Sequence, residues 1–415
     1  MARSTAPPRA AFAVARAAGE VSRRVGKGAG KTVPGRVALL LVPDALRRLA
    51  APYDVVLLSG TNGKTTTTRL LTAAVSSTAR VISNSDGANL VSGLVSALLP
   101  PSAREAQIAV LEVDEVALPA ALVATEAVLV VLLNLSRDQM DRNSEVASHV
   151  IRWSAALTGA PGTIVVANAD DPLVVAAVLG ARPDGEGVVW ILVGQPWRSD
   201  SAFCPRCHAA WDGRLEAWHC DVCGLHRPEP TWSLVGAELV GASGERHPLN
   251  LRLPGRANLA NAVTAVAAAH QLGVPVEVAL EQVGTVTDVQ GRYLQVARGQ
   301  HDVRLLLAKN PAGWLEALDL VGQDDAPVVL SINAQSADGH DPSWLWDVPY
   351  EQLRGRRVVV AGERAHDLAV RLHYAGVEHT VELDVLRACD SVPPGPCDLV
   401  ANYTAFVRAR ARLTA

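Results

Sequence analysis

Residues 59–67 read Ser59-Gly60-Thr61-Asn62-Gly63-Lys64-Thr65-Thr66-Thr67. They follow the apolar run Val55 to Leu58 and precede a stretch, Arg69 to Val75, that reads as helix. Buried strand, glycine turn and helix, in that order, form the context of a phosphate-binding loop. Glycines let main-chain amides curl around phosphate oxygens, and the helix N-terminus adds positive potential. Lys64 is then placed to reach the terminal phosphates and Thr65 to ligate Mg2+. The loop is built for ATP. A second Gly-Lys-Thr, in Gly28-Ala29-Gly30-Lys31-Thr32, follows the charged Ser22-Arg23-Arg24 instead of an apolar run and reads as an ordinary loop.

Around this loop the chain runs to 415 residues, too many for one core, so two or three domains are expected. With 49% hydrophobic and 19% charged residues it reads as globular. A formal charge of −4 gives no overall pull toward nucleic acid or anionic lipid. The longest apolar stretch, Val116 to Leu135, is broken by Pro119 and Glu126 and makes a poor membrane span, so a soluble protein is expected. Near the N-terminus Arg3, Arg9, Arg16, Arg23 and Arg24 face one acid, Glu20, a composition shared with organelle transit peptides. An amphipathic helix is the plainer reading and the one adopted. Lysine occurs only at 27, 31, 64 and 309, which singles out Lys64 and Lys309.

From Asp54 onward apolar runs alternate with helical stretches: Val55 to Leu58, Ile108 to Leu111, Ala127 to Leu133 and Thr163 to Ala167. Continuous runs of this kind suit parallel strands buried on both faces. A second series, Val303 to Leu307, Val328 to Ile332, Val358 to Ala361 and Asp398 to Ala401, predicts a separate, smaller α/β domain. The expected division is a helical arm over 1–48, an ATP-binding α/β domain over 49–297 and a C-terminal α/β domain over 298–415. An insertion of different composition, at about 198–230, interrupts the middle domain.

That insertion carries Cys204-Pro205-Arg206-Cys207, twelve intervening residues, then Cys220-Asp221-Val222-Cys223. Two such knuckles predict a tetrahedral thiolate site for zinc, in preference to disulfides or redox chemistry. His208 and His219 are adjacent possible ligands, but four cysteines already close the site. A closed site has no open coordination position, so its expected role is structural or as a docking surface.

Leu58 stands where the general Walker spacing places its first glycine, so Gly60-Thr61-Asn62-Gly63-Lys64-Thr65 instead resembles the loop of Mur ligases and folylpolyglutamate synthetases. Glu112, Asn134 to Arg142, Asn168-Ala169-Asp170-Asp171-Pro172 and Gly255 to Asn261 extend the resemblance in the correct order. The resemblance implies an ATP site of Gly60, Thr61, Asn62, Gly63, Lys64, Thr65, Thr66, Asn261 and Arg292, with Mg2+ held by Thr65 and Glu112. It also implies amide formation through an acyl phosphate. On residues alone, Glu112 is equally a solvated strand end. Two departures stand out. Only about fifty residues precede the loop, too few for the domain that grips a UDP-linked sugar in most Mur ligases. Gln139 replaces a metal-binding histidine, and no lysine between 64 and 309 can be carbamylated, which leaves a second metal site in doubt.

Two runs mark the C-terminal half. Ala308-Lys309-Asn310-Pro311-Ala312-Gly313-Trp314 places Lys309 where relatives carry a histidine-containing Asn-Pro motif; it reads either as a phosphate-reaching lysine or as a solvated strand end. Ala337-Asp338-Gly339-His340-Asp341-Pro342-Ser343-Trp344-Leu345-Trp346-Asp347 reads either as a binding edge or as an acidic turn whose tryptophans enter the core. With the loop and the four cysteines, these runs resemble the MurT family, the Mur-ligase-like subunits of lipid II isoglutaminyl synthase. That resemblance implies a Mur-type ATPase domain with a zinc ribbon insertion and a Rossmann-like C-terminal domain. The implied reaction amidates the α-carboxylate of D-glutamate in the lipid II stem, in the cytoplasm at the inner membrane face. Ammonia would come from a GatD-like glutaminase partner, because neither Cys389 nor Cys397 lies on a nucleophile elbow. The resemblance places Asp341 in that partner's active site. A stand-alone amino-acid ligase of the folylpolyglutamate synthetase kind also explains the loop, and a nucleic-acid-binding ribbon protein also explains the cysteines.

Overall fold

All eight apolar runs are strands, and their neighbours in the two sheets explain why. The computed structural model describes residues 8–24, 32–84, 87–100, 103, 105–137, 146–194, 200, 202–211, 217–287, 293–321 and 325–414. It divides into two units. The first comprises Met1–Leu135, Val146–Leu253 and Asn258–Thr287, the second Ser136–Glu145, Pro254–Ala257 and Asp288–Ala415.

The first unit opens with helices α1 (Pro8–Arg24), α2 (Val33–Leu41) and α3 (Ala45–Ala50). The small residues Ala11, Ala15 and Ala38 are fully buried, so α1 and α2 pack closely. A Cβ on Gly35 would lie 1.7 Å from Ser92 O, so only glycine permits the approach of α2 to the next helix layer. Alternating strands and helices follow: β1 (Asp54–Ser59), α4 (Lys64–Val75), β2 (Val81–Ser83), α5 (Val91–Leu98), β3 (Ile108–Glu112) and α6 (Leu118–Thr125). Next come β4 (Leu129–Leu132), α7 (Val146–Thr158), β5 (Ile164–Asn168), α8 (Pro172–Ala181) and β6 (Val188–Leu192). Beyond the cysteine insertion lie β7 (Trp232–Val235), β8 (Glu238–Gly241), β9 (Arg246–Pro248), α9 (Arg256–Gln271) and α10 (Val276–Gly284).

Nine strands form one sheet in the order β2-β3-β1-β4-β5-β6-β7-β8-β9. Pairing is parallel from β2 to β7 and antiparallel across β7, β8 and β9. Because β1 lies between β3 and β4, the strand order reverses there. Ligands in open α/β sheets bind beyond the carboxyl ends of the strands at such a reversal. The phosphate loop leaves β1 at that point.

The Asn168 to Pro172 segment serves the frame. Asp171 is 1% exposed; its Oδ1 accepts the Leu173 and Val174 amides (2.9 and 3.2 Å) and so caps α8, while Oδ2 accepts the Leu135 amide (2.8 Å). Asp170 Oδ2 takes the Val193 and Gly194 amides. Removing a helix cap and orphaning buried amides costs about 2–3 kcal/mol. Asp171→Ala is therefore expected to lower the unfolding midpoint by roughly 5 °C, followed by differential scanning fluorimetry. An unchanged midpoint would rule out this clasp.

The second unit holds β10 (Tyr293–Arg298), β11 (His301–Leu307), α11 (Pro311–Val321), β12 (Val328–Ser331) and β13 (Val358–Ala361). It continues with α12 (Ala365–Tyr374), β14 (His379–Val381), α13 (Val385–Asp390), β15 (Gly395–Ala401) and α14 (Tyr403–Leu413). The sheet order is β10-β11-β15-β12-β13-β14, parallel except for β10 against β11. Helices cover both faces over two apolar clusters, one around Trp314 and Tyr350, the other around Phe406. Among the described residues, no helix is long and apolar enough to cross a membrane.

Candidate functional site

Gly60 and Gly63 have φ of +147° and +83°, values that other residues rarely adopt. A Cβ on Gly63 would also lie 2.5 Å from Asn261 Oδ1. Asn134, just beyond β4, fixes the turn: its carbonyl accepts the Thr61 amide (2.9 Å), its Oδ1 accepts the Asn62 amide (2.8 Å), and its Nδ2 donates to Asn62 O (3.1 Å). Gly63 then starts α4, with Lys64 and Thr66 buried in the first turn and Thr65 partly exposed. Thr67 Oγ1 donates to Asn261 Oδ1 (3.1 Å), so α9 meets the loop helix where Asn261 is expected to meet the nucleotide.

Lys64 Nζ donates to Gly60 O, to Thr61 O (3.2 Å) and to Glu115 Oε2 (3.0 Å). The two charged side chains are 8% and 13% exposed. The Trp153 indole holds the Glu115 carbonyl at 3.0 Å. Glu112, at the end of β3, is 2% exposed and is no solvated strand end. Its amide donates to Asn84 Oδ1 (2.8 Å), its carbonyl accepts Asn84 Nδ2 (2.8 Å), and its Oε1 accepts Asn89 Nδ2 (3.2 Å). Oε2 is buried with no hydrogen-bond partner. Burial and the nearby charge of Glu115 lift the Asp114 carboxyl above its usual range, and burial holds the His149 ring below its ordinary value.

The Lys64 ammonium thus pairs with Glu115 and its charge also acts on Asp114. A nucleotide polyanion in such a site calls for a divalent cation, and the unpartnered Glu112 oxygen is a suitable hard ligand. Glu115, Asn84, Asn89 and His149 are not singled out by sequence. Glu115 stands three positions after Glu112, but nothing in the sequence reveals that it meets Lys64. Gln139, Gly291 and Arg292 lie outside the described residues, as do Gly28 to Lys31.

In the insertion, the Sγ atoms of Cys204, Cys207, Cys220 and Cys223 all lie within 4.8 Å of one another. Cys204–Cys223 and Cys207–Cys220 are separated by 3.6 and 3.5 Å, too far for disulfide bonds of about 2.05 Å. His208 and Gly224, each directly after a second cysteine, take φ of +59° and +72° and turn each knuckle back on itself. The Cys223 amide aimed at Cys220 brings that thiol down to about 7, whereas burial pushes Cys204 up to about 12. Four converging thiols with amides directed at them form a donor set for a thiophilic dication. His219 is instead engaged with Asp221 (2.9 Å), and the Trp218 indole ties the insertion to Asp170 O (3.2 Å).

In the second unit, Lys309 Nζ sits 5.0 Å from the Tyr403 ring centroid, and Asn310 Oδ1 accepts the Gly313 amide (2.9 Å) at the start of α11. The three acids of the 337–347 run separate clearly. Asp338 is buried, its oxygens accepting the Thr404 amide (2.8 Å), the Thr404 hydroxyl and the Gln335 amide (3.2 Å). Asp347 pairs with Arg137 (3.3 Å). Asp341 is exposed, and its two oxygens accept the Ser343 amide (2.8 Å) and hydroxyl (2.9 Å). Trp344 packs toward Trp314 while Trp346 faces out, so each tryptophan follows one of the two readings of the run. Cys389 and Cys397 are buried in the core of the second unit.

Residues 58–188 match the Mur ligase middle domain and residues 307–406 the MurT ligase C-terminal domain. The chain is 30% identical to the lipid II isoglutaminyl synthase (glutamine-hydrolyzing) subunit MurT of Staphylococcus aureus strain N315, over 95% of each chain. It is also 30% identical to the subunit of the same name from Streptococcus pneumoniae, over 92% of each. Among solved structures, MurF ligase from Thermotoga maritima in complex with ADP superposes with a TM-score of 0.62 at 14% identity, covering 89% of this chain and 82% of that one.

Proposed function

Because the chain belongs to the MurT family of Mur-type ligase subunits, we infer that it amidates the α-carboxylate of D-glutamate in the lipid II stem, giving D-isoglutamine. The observation that carries this reading is the match of residues 307–406 to the MurT C-terminal domain, since the middle domain alone suits any Mur-type ligase. The reading uses ATP, magnesium and a structural zinc. It also calls for ammonia from a separate glutaminase resembling GatD, and places the reaction at the inner face of the membrane, where a lipid-linked substrate resides.

In this reading the Gly60–Lys64 turn and the N-terminal end of α4 bind the ATP phosphates, with Arg292 as a further phosphate contact and Asn261 beside the nucleotide. Thr65 and Glu112 would hold magnesium, which when bound would supply neutralisation of phosphate charge. Lys64 exchanges at least one of its present acceptors for a phosphate oxygen and stabilises the charge that builds up during transfer. A carboxylate oxygen of D-glutamate attacks the γ-phosphorus as the bond to ADP breaks, giving an acyl phosphate. Ammonia then attacks the acyl carbon, phosphate leaves, and the nitrogen loses a proton. Asp341 serves the glutaminase half: it is exposed, and its contact with Ser343 leaves lone pairs for a partner's histidine.

The test is reconstitution of the chain and its glutaminase with lipid II, ATP and glutamine. Mass spectrometry is expected to show conversion of one stem carboxylate to an amide, and ATP consumption without amidation would overturn the reading.

The four cysteines give a separate expectation: one zinc per chain after purification without chelator. Cys204→Ser is expected to release that zinc and open the insertion, because thiolate ligation supplies the folding energy of such small modules. ATP binding should persist, since the loop sits on β1 and α4. Elemental analysis that finds no zinc in wild-type protein would refute the assignment.

A further inference from the structure

Trp346 and Tyr374 form an aromatic pair on the surface of the second unit, with ring centroids 5.5 Å apart at an interplanar angle of 59°. They are 54% and 72% exposed, and Val370, one helical turn before Tyr374 on α12, is 51% exposed. Residues four apart share a helix face, so Val370 extends the pair into one apolar patch.

The patch is rigidly backed. Arg371 lies beneath it, 6% exposed, with its guanidinium carbon 5.7 Å from the Trp346 ring and 5.6 Å from the Tyr350 ring. That guanidinium is fixed by Val348 O (2.8 Å) and by both Glu351 carboxylate oxygens (2.9 and 3.1 Å). The core does not need Trp346: Trp344, two residues earlier, already fills the contact with Trp314. Tryptophan, tyrosine and arginine on a rigid base are the residue types that carry most interface energy.

The occupant follows from position. If Asp341 enters the glutaminase active site, the surface around it is covered by that subunit. Asp341 accepts the amide of Ser343, the first residue of the 3-10 helix Ser343–Asp347, and Trp346 lies on that helix. A rise of about 2 Å per residue keeps the two positions within roughly 10 Å. An interface burying about 800 Å² per partner extends roughly 16 Å from its centre. We propose that Trp346 and Tyr374 are the aromatic anchor that docks the glutaminase subunit, seated in an apolar pocket of that partner. The inference rests on the proposed role of Asp341.

The experiment uses the full chain and its native glutaminase. Trp346→Ala and Tyr374→Ala are each expected to weaken the complex about 30-fold or more by isothermal titration calorimetry. Ammonium-driven amidation should be unchanged, which shows the ligase to be folded. Tyr374, at 72% exposure, is the variant whose loss of affinity cannot be assigned to unfolding. Excess glutaminase should restore glutamine-driven turnover in both variants but not in Asp341→Asn, separating docking from chemistry. Wild-type affinity in both variants overturns the anchor alone. Failure of the wild-type chain to bind the glutaminase overturns the functional reading and the anchor with it.

Discussion

Lys64→Ala is expected to leave a folded chain that forms no measurable amide. Lys64 supplies the one ammonium seen at the phosphate turn among the described residues, and it acts on charge that is greatest in the transition state. Removing a single neutral donor from such a position costs about 10²- to 10³-fold, and removing a full cation more. The substitution also leaves Glu115, 13% exposed, without its ion-pair partner, a loss that on its own lowers stability. Lys64→Ala with Glu115→Gln removes that unpaired acid. The double variant is expected to regain thermal stability and remain inactive with either glutamine or ammonium, measured as ATP-dependent amide formation. Recovery of activity along with stability would show that Lys64 only holds the turn together.

Much of this site was legible because the chemistry is local. Gly60, Gly63, Lys64 and Thr65 fall within six residues, and the glycines are demanded by positive φ. The eight strands read from apolar runs were legible because strands buried on both faces are made mostly of Val, Leu, Ile and Ala, with Thr163, Arg304, Ser331 and Asp398 the exceptions within those runs. Most strands left out are short or half exposed: β14 is His379-Thr380-Val381, and β10 buries only parts of Tyr293, Leu294, Val296 and Arg298; β6, Val188–Leu192, is an apolar run with a buried centre that the reading passed over. What sequence could not supply was the pairing of distant residues. Glu115 meets Lys64 across 51 positions, Asn134 holds Asn62 across 72, and Asn261 reaches Thr67 across 194. Such contacts are set by strand order, and an apolar run carries no record of which strand lies beside it. The burial of Glu112 has the same origin, since it depends on β3 pairing with β1 in the register Leu58 to Glu112. The 337–347 run shows the limit at close range, because three aspartates of equal appearance prove to be a buried loop clasp, an ion-paired acid and an exposed carboxylate.

That separation sharpens the second large effect. Asp341→Asn is expected to lower glutamine-driven amidation by about 10³-fold or more while ammonium-driven amidation stays near the wild-type rate. In a cysteine–histidine glutaminase the imidazole becomes cationic as it takes the thiol proton, and a carboxylate against its other nitrogen both orients and stabilises that cation. An amide can orient the ring but carries no charge, and replacing the acid of a comparable triad by asparagine costs about 10⁴-fold. The substituted side chain keeps an oxygen for the Ser343 amide, so the 3-10 helix and the docking surface should survive. Asp338→Asn provides the contrast: it disturbs the Thr404 contacts at the start of α14 and should lower thermal stability, with both nitrogen donors affected alike. The two donors are compared in the reconstituted complex, with glutaminase binding measured in parallel. Equal loss with glutamine and ammonium for Asp341→Asn would assign this acid to ligation, and no loss with either would leave it as a structural acid of a surface turn.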